Sequence, residues 1–183
     1  MKYKNPDIES SYKENDLGRT LYDLVLKEKP TTIIEFGTLY GYSAVAMAMA
    51  LDELKADGVK REIICYDLWE NYQYKKCSKG HAQDNIDKYG LGEYIRLANG
   101  DLFTWVSEPA DLIHVDISND GTKLPKIYDK LKGHDALVIF EGGSQKRDSA
   151  PWVSKYNKAP MRSCGIKYDV INEDYPSISK LIK

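Results

Sequence analysis

The sequence predicts an α/β fold with an open, mostly parallel β-sheet. The alternation of two kinds of segment leads to this prediction. Short apolar runs rich in β-branched residues alternate with segments of helical periodicity along most of the chain. Such apolar runs are typical of strands that crossover helices cover on both faces of a parallel sheet.

The apolar runs define the strands. Five of them predict strands at residues 32–36, 62–66, 94–98, 111–115 and 136–140. The pattern loosens after the fifth run, where residues 168–172 and 177–182 are predicted as two final strands. Tyr175-Pro176 marks a turn between them, so this pair is expected to form an antiparallel edge.

Helices are predicted between the strands, at residues 15–29, 43–56, 82–89, 103–107 and 124–131. In the first of these, Leu17, Leu21 and Leu24 recur at helical spacing. Pro30 ends that helix before the first strand. A further helix is predicted at residues 147–156.

Length and composition indicate one globular domain, residues 1–183, with residues 1–14 as a candidate flexible segment. At roughly 150 residues per domain, 183 residues correspond to one unit. With 42% hydrophobic and 30% charged residues, the chain lacks the composition of a disordered protein. Its net charge of -2 provides no general attraction for phosphate backbones, so no nucleic-acid partner is expected.

Membrane association is not expected either. The longest strictly apolar run, residues 44–51, is far shorter than the roughly 20 residues that span a bilayer, and the first residues lack an apolar signal sequence. The 3 cysteines are widely spaced without a C-x-x-C pair, which is typical of reduced thiols and argues against a disulfide framework or a zinc site. A cytoplasmic location is therefore predicted.

Glycines follow the first predicted strand, at the edge where open parallel sheets bind ligands. Gly37 permits a tight turn, and Gly41 precedes a helix whose free N–H groups favour an anion. The spacing is G-x-x-x-G, and the dinucleotide-binding G-x-G-x-x-G is absent. Glycines that only permit a tight strand-helix turn are the alternative explanation.

Acidic residues occur at four strand ends, namely Glu35, Asp67, Asp101 and Asp116. Asp67 is placed to accept both hydroxyls of a ribose, and Trp69 is a candidate to cover an adenine face. Each carboxylate alone has an ordinary explanation as a solvated strand end. Their repetition at one predicted edge favours a ligand site.

The ordered motifs resemble those of the class I S-adenosylmethionine-dependent methyltransferases and are most similar to the catechol O-methyltransferase-like branch. The resemblance covers about residues 15–143 and rests on Glu35-x-Gly37-x-x-x-Gly41-Tyr42-Ser43, Asp67, Gly100-Asp101 and Asp111-Leu112-Ile113-His114-Val115-Asp116. It implies a Rossmann-like, seven-stranded sheet with helices on both faces and one antiparallel strand near the C-terminus.

The resemblance also implies a binding site for S-adenosylmethionine. Residues after the first strand would flank the methionine part, Asp67 would hold the ribose, and Asp101 with Leu102 would contact the adenine. The full predicted set is Glu35, Gly37, Thr38, Gly41, Tyr42, Ser43, Asp67, Leu68, Trp69, Asp101, Leu102 and Asp116.

Departures from that branch leave a metal site open. Its metal-dependent members use an aspartate after the fourth strand, an Asp-Asn pair after the fifth, and a lysine three residues beyond the first aspartate. Asp116 matches the first position, but Glu141-Gly142 replaces the pair and Asn119 replaces the lysine. Asp116 and Glu141, joined by Asp120, are candidate ligands for a divalent cation such as Mg²⁺. Acidic strand ends without a metal are the alternative.

Methyl transfer to a hydroxyl group needs a base in addition to the alignment of the two reactants. The candidate catalytic residues are Asp116, Glu141 and His81, the last because it lies beside a tyrosine-rich loop. A capping carboxylate at Glu141 and an exposed loop histidine at His81 are the alternatives. His114 is predicted to be a core residue and His134 a surface residue.

The acceptor pocket is expected to come from the first helix, the loop at residues 69–81 and residues 142–160. Lys146 and Arg147 are candidates to contact an anionic acceptor, with a solvated basic turn as the alternative. The candidates for pocket walls, or for packing on the sheet, are Tyr72, Tyr74, Trp152 and Tyr156.

The sequence therefore predicts a methyltransferase that uses S-adenosylmethionine and acts on a small molecule at an oxygen atom. A cofactor-binding protein without transferase activity and a nucleotide-dependent oxidoreductase are the alternatives. Because 183 residues leave no room for a separate lid domain, a small pocket or one completed by a second subunit of a homodimer is expected.

Overall fold

The computed structural model describes residues 1–73 and 76–183 of the chain. In this part of the chain, one sheet contains β1 (Thr32–Phe36), β2 (Glu62–Asp67), β3 (Ile95–Asn99), β4 (Leu112–Val115), β5 (Leu137–Glu141), β6 (Tyr168–Asn172) and β7 (Ile178–Leu181). The strand order is β3-β2-β1-β4-β5-β7-β6. The direction of winding reverses between β1 and β4, so their carboxyl ends border the switch point at which such sheets bind ligands.

The sheet has one reversed strand. Strands β1 to β5 pair in parallel, whereas β7 runs antiparallel to both β5 and β6. The predicted fold class is thus confirmed, and the strand ends differ from the predicted ones by at most one residue. Strand β7 lies inside the sheet, between β5 and β6, and β6 forms the edge.

Helices cover both faces of the sheet. They are α1 (Leu17–Glu28), α2 (Tyr42–Leu54), α3 (Lys79–Lys88), α4 (Leu124–Leu131), α5 (Gln145–Asp148) and α6 (Pro151–Lys155). Helices α1, α2 and α3 pack in one apolar cluster with Ile33 of β1, and α4 packs in a second cluster with Ile34. Successive strand residues point to opposite faces, so β1 contributes to both clusters. Within the described residues, no helix combines the length and the apolar character that crossing a membrane requires.

Two predicted helices are wrong. Residues 103–107 form no helix, because the Asp101 carboxylate accepts the Phe103 N–H at 2.7 Å and closes a local turn instead. The predicted helix at residues 147–156 is divided into α5 and α6. Pro151 has no N–H to continue a helix, and it restricts Ala150 to an extended conformation with φ -66 and ψ 136.

The N-terminal segment packs against the sheet. Ile8 and Tyr12 are only 3% and 2% exposed, and a short 3-10 helix, Ser11–Lys13, precedes α1. The Tyr12 ring lies 6.3 Å from the ring of His114 in β4, so this segment reaches the central strands.

Candidate active site

The turn between β1 and α2 is built around Gly37. This residue has φ +92, and a Cβ atom added to it would lie 2.0 Å from the carbonyl oxygen of Asp116, directly after β4. Its N–H donates to the carbonyl oxygen of Tyr66 in β2 at 2.9 Å. Because only glycine fits both the dihedral angle and the space, the ends of β1, β2 and β4 come close together here.

Helix α2 starts at this turn. Gly41 is its N-cap with φ +89, and among the described residues no side chain caps the first N–H groups, which belong to the turn containing Tyr42 and Ser43. The neighbouring Thr38 is 3% exposed, and its hydroxyl has no hydrogen-bond partner in the described part of the chain. An uncapped helix start beside an unpaired hydroxyl favours a negatively charged ligand group.

Glu35 supports the turn from within the sheet. Register pairing places it opposite Cys65 of β2 and His114 of β4. The Glu35 Oε1 atom lies 2.9 Å from His114 Nδ1, and Cys65 Sγ donates to Oε2 at 3.6 Å. Burial and the Glu35 charge raise the pKa of the Cys65 thiol well above its usual range, which keeps it a donor. Both carboxylate oxygens are engaged, so Glu35 fixes the ends of β1, β2 and β4 relative to one another.

Asp67 organises a second loop at the same edge. Its carboxylate accepts the N–H groups of Leu39 at 2.8 Å, Leu68 at 2.6 Å and Trp69 at 3.1 Å. The Trp69 indole N–H donates to the Leu39 carbonyl oxygen at 3.0 Å, and the ring is 2% exposed. Leu39, Asp67 and Trp69 line a cavity of about 50 Å³ with Tyr72, Lys76 and Cys77. The structure thus brings Asp67, predicted for the ribose, and Trp69, a candidate to cover the adenine, to one cavity, whereas Asp101 and Leu102 are not among its lining residues.

Asp101 and Leu102 follow β3 at this edge. The Asp101 carboxylate accepts the Phe103 N–H, which fixes the turn. Leu102 is fully buried in the apolar cluster that also contains Phe36 and Trp105. The two residues therefore connect the end of β3 to the core beneath it.

Asp116 and Glu141 form an acidic pair at the ends of β4 and β5. Glu141 is 7% exposed, and Asp116 is half-buried. Burial and the charge of Glu141 raise the pKa of Asp116 well above its usual range. Burial also raises the pKa of Glu141. The Asn119 amide, which donates to Oε1 at 3.3 Å, and the charge of Arg147 lower this pKa, but burial outweighs them. The pair therefore keeps a proton at pH values where isolated carboxyl groups are ionised.

Buried polar atoms without partners occur on the elements around this pair. Within the described residues there are eight unpaired atoms; two are Thr38 Oγ1 and Arg61 Nε, and the other six are Tyr12 Oη, Asn15 Oδ1, His114 Nε2, Arg147 Nε and Nη2, and Trp152 Nε1. Burial and the charges of Asp116 and Glu141 raise the pKa of the Tyr12 hydroxyl well above its usual range. Buried polar groups are rarely left unpaired, so this concentration indicates a ligand site.

Sequence analysis did not identify Tyr12 and Asn15 as site residues. Both belong to the region before α1, where residues 1–14 were a candidate flexible segment. The available signal was the spacing of Ile8 and Tyr12, four residues apart, which is typical of a helical turn with one buried face. His114 is a core residue, as predicted. Its Nε2 atom has no hydrogen-bond partner among the described residues.

Some predicted site residues are not brought to the acidic pair. His81 is exposed in the first turn of α3, where its backbone N–H donates to Ser78 Oγ at 3.1 Å. Tyr72 lines the small cavity at the end of β2, and Tyr156 is 61% exposed. Tyr74 lies outside the described residues.

Lys146 and Arg147 have opposite environments although they are adjacent. Lys146 is exposed and pairs with Asp174. Arg147 is completely buried, and its guanidinium carbon lies 5.0 Å from the centre of the Trp152 ring. The predicted basic turn is therefore solvated at Lys146 only.

The candidate Mg²⁺ ligands do not assemble into a full set. Asp120 accepts the Thr122 N–H at 3.0 Å instead of joining Asp116 and Glu141. In the described part of the chain, no three His, Cys, Asp or Glu side chains form a group that could hold a metal ion. The positive charge of Arg147 already acts on Glu141. Glu141 thus already has a cation and an amide as neighbours, which does not fit the role of a second carboxylate ligand for Mg²⁺.

A larger groove of about 790 Å³ lies at the other end of the parallel strands, away from their carboxyl ends. Gly133, Leu137 and Lys183 are among its lining residues. These residues border the amino end of β5 and the carboxyl end of the reversed β7. The groove therefore adjoins neither the Gly37 turn nor the acidic pair.

The region around the Gly37 turn also matches a known family. Residues 34–136, more than half of the chain, match the family described as a methyltransferase domain. The chain belongs to this methyltransferase family. The matched part begins in β1 and ends before β5, so it contains the Gly37 turn, Asp67 and Asp116.

Solved methyltransferases share the fold at low sequence identity. The S-adenosylhomocysteine-bound methyltransferase PaMTH1 of Podospora anserina is 18% identical with a TM-score of 0.62, over 94% of this chain and 79% of that one. The O-methyltransferase TomG of Streptomyces achromogenes, in complex with S-adenosylmethionine, is 15% identical with a TM-score of 0.56, over 94% and 86%. The methyltransferase fold therefore extends over nearly the whole chain.

A curated relative has a different description. The signal recognition particle 54 kDa protein of Thermococcus gammatolerans is 22% identical over 136 residues, which cover 69% of this chain and 30% of that protein. The chain spans less than a third of that relative's length, and the similarity assigns no activity to it.

Proposed function

We propose that the protein transfers the methyl group of S-adenosylmethionine to an oxygen atom of a small molecule. The observation that carries the proposal is that the Gly37 turn, Asp67 and the Asp116–Glu141 pair meet at one sheet edge in a member of a methyltransferase family. Of the two solved relatives, one binds S-adenosylhomocysteine and the other is an O-methyltransferase that binds S-adenosylmethionine. They support both the cofactor and the acceptor atom.

The residues after β1 and β2 fit this cofactor. The uncapped start of α2 and the unpaired Thr38 hydroxyl suit the carboxylate of its methionine part. Asp67 lines a cavity and suits the ribose hydroxyls, and Asp101 follows β3 in the neighbouring part of the sheet. Since the cavity of about 50 Å³ is smaller than the roughly 300 Å³ of typical ligand pockets, we expect binding to widen it.

The acidic pair is proposed as the proton acceptor. When bound, S-adenosylmethionine supplies a methyl group already activated by its sulfonium, so the protein has to align the acceptor and remove its proton. Raised pKa values make Asp116 and Glu141 stronger bases than ordinary carboxylates. The buried Tyr12 hydroxyl lies beside Asp116 and is placed to hold the acceptor oxygen toward the pair.

Asp67→Ala is expected to weaken S-adenosylhomocysteine binding by about 1.5–3 kcal/mol, because a charged hydrogen-bond acceptor is lost. Isothermal titration calorimetry measures the change. Asp129→Ala is the matched control, since Asp129 pairs with Lys132 on the surface of α4. Equal affinities of the two variants would show that Asp67 does not bind the ribose, and absence of binding to the unaltered protein would overturn the proposed function.

Transfer itself is tested by incubating the protein with S-adenosylmethionine and a panel of small hydroxylated acceptors. Mass spectrometry should detect an O-methylated product together with S-adenosylhomocysteine. Cofactor binding without any methylated product across the panel would support the non-catalytic alternative.

Activity is expected to survive removal of divalent cations, because the Arg147 charge and the Asn119 amide already act on Glu141 in place of a metal ion. The rate after EDTA treatment should equal the untreated rate, and added Mg²⁺ should not raise it. A loss that Mg²⁺ specifically restores would show that the pair is part of a metal site.

We also infer a cytoplasmic location, which the three free cysteines support. A homodimer that completes the acceptor pocket remains a prediction. Analytical ultracentrifugation, with and without S-adenosylhomocysteine, tests it.

A further inference from the structure

Arg147 is a completely buried cation with three of its five N–H donors unused. Its Nη1 atom donates to Asp148 Oδ1 at 2.7 Å and, at 3.4 Å, to the Ala159 carbonyl oxygen. Its Nε and Nη2 atoms have no hydrogen-bond partner in the described part of the chain. Leaving charged donors unpaired in the interior is costly, so this arrangement favours binding of a hydrogen-bond acceptor at these atoms.

The unused donors have a defined geometry. Nε and Nη2 form one planar edge of the guanidinium, and two parallel N–H groups on such an edge match the two oxygens of a carboxylate. Asp148 fixes the opposite side of the group, and it is itself held by the N–H groups of Met161 and Arg162 at 2.9 Å each. The edge is therefore rigidly presented.

Aromatic groups form the surroundings of this edge. The guanidinium lies over the Trp152 ring, whose buried indole N–H is a third unpaired donor. Trp152 in turn packs against Tyr175, with ring centres 6.2 Å apart. Arg147 also acts electrostatically on Glu141, and its helix α5 follows β5, which ends at Glu141, so Arg147 lies near the proposed proton acceptor.

We infer that the Nε–Nη2 edge of Arg147, together with the Trp152 indole N–H, binds a carboxylate of the methyl acceptor. The inference rests on the proposed function and deepens it. With the carboxylate at Arg147 and the reacting hydroxyl at the Asp116–Glu141 pair, the acceptor is a small hydroxylated carboxylic acid. Two flanking aromatic rings favour a flat carbon skeleton between these groups.

Indole N–H resonances provide a test in which ligand binding is observed on the unaltered protein. The chain has 3 Trp. Trp69 and Trp105 donate to Leu39 O and Glu108 Oε1, whereas Trp152 has no partner among the described residues. In ¹⁵N-labelled protein, 4-hydroxybenzoate should shift the Trp152 signal, assigned with Trp152→Phe, and leave the other two in place. The neutral isostere 4-hydroxybenzamide should shift it far less.

Arg147→Met and Arg147→Lys test the donor edge directly. The preference for 4-hydroxybenzoate over 4-hydroxybenzamide, measured by calorimetry with and without S-adenosylhomocysteine, should fall at least about tenfold in Arg147→Met. It should be only partly kept in Arg147→Lys, which retains charge without the planar edge. Arg162→Met, which removes an exposed arginine from the same neighbourhood, should keep the full preference.

Each outcome decides the inference. No preference in the unaltered protein, or the same preference in Arg147→Met, overturns it. An equal response to inorganic phosphate overturns the carboxylate assignment in favour of a general anion site. S-adenosylhomocysteine binding by the same variants shows whether they fold and keep the cofactor site. If the unaltered protein does not bind S-adenosylhomocysteine, that result counts against the proposed function alone.

Discussion

Gly37→Ala is expected to lower the free energy of unfolding by about 2–5 kcal/mol and to abolish cofactor binding. A side chain at φ +92 costs about 1–2 kcal/mol. Its Cβ would also lie 2.0 Å from the Asp116 carbonyl oxygen, a backbone atom that moves only with β4, and such overpacking costs about 1–3 kcal/mol. Urea denaturation and calorimetry with S-adenosylhomocysteine measure the two effects.

Gly58→Ala separates these two costs. Gly58 has φ +74, and no described atom lies within 4 Å of the position its Cβ would take. Gly58→Ala therefore includes the free-energy cost of a side chain at positive φ but not the cost of a steric clash. If Gly37→Ala and Gly58→Ala are destabilised equally, the close approach of β1 and β4 does not contribute to stability.

The sheet could be predicted because its strands are local apolar runs. Strand β6 was predicted with its exact bounds and helix α4 likewise, since each is bounded by polar residues on both sides. The order of β6 and β7 was not predictable, because it depends on which strand pairs with β5. The division of the helix at Pro151 was open to prediction, because a proline inside a helical pattern is a local signal.

The candidate site was predictable only where it follows the strand ends. Asp67 and Asp116 reach one edge because parallel strands align their carboxyl ends. Asn15 donates a hydrogen bond to the Pro176 carbonyl oxygen, 161 residues away, and no local pattern indicates such a contact. Lys146 and Arg147 resemble one charged turn in sequence, but successive helix residues point about 100° apart, so only one of them faces solvent.

Asp116→Asn is expected to reduce methyl transfer by roughly 10²–10⁴-fold, the usual contribution of a general base. The same change should stabilise the protein at neutral and higher pH. Burial and the Glu141 charge raise the pKa of Asp116 in the folded state above its value in the unfolded chain. The folded state therefore binds more protons between these two pKa values, and stability falls as pH rises through that window.

Asparagine removes this titration, so the stability advantage of Asp116→Asn over the unaltered protein should grow as pH rises from about 4 toward the raised pKa of Asp116. Asp120→Asn is the control with the opposite sign. Burial raises the pKa of Asp120, but hydrogen bonds from Thr122 and Ala159 outweigh it and lower the pKa overall. Loss of the Asp120 carboxylate should therefore destabilise the protein at neutral pH.

Thermal unfolding of both variants from pH 4 to pH 9, with transfer rates at each pH, gives the comparison. If Asp116→Asn is inactive and also less stable than the unaltered protein at every pH, the carboxyl group stabilises the fold and does not act in the reaction.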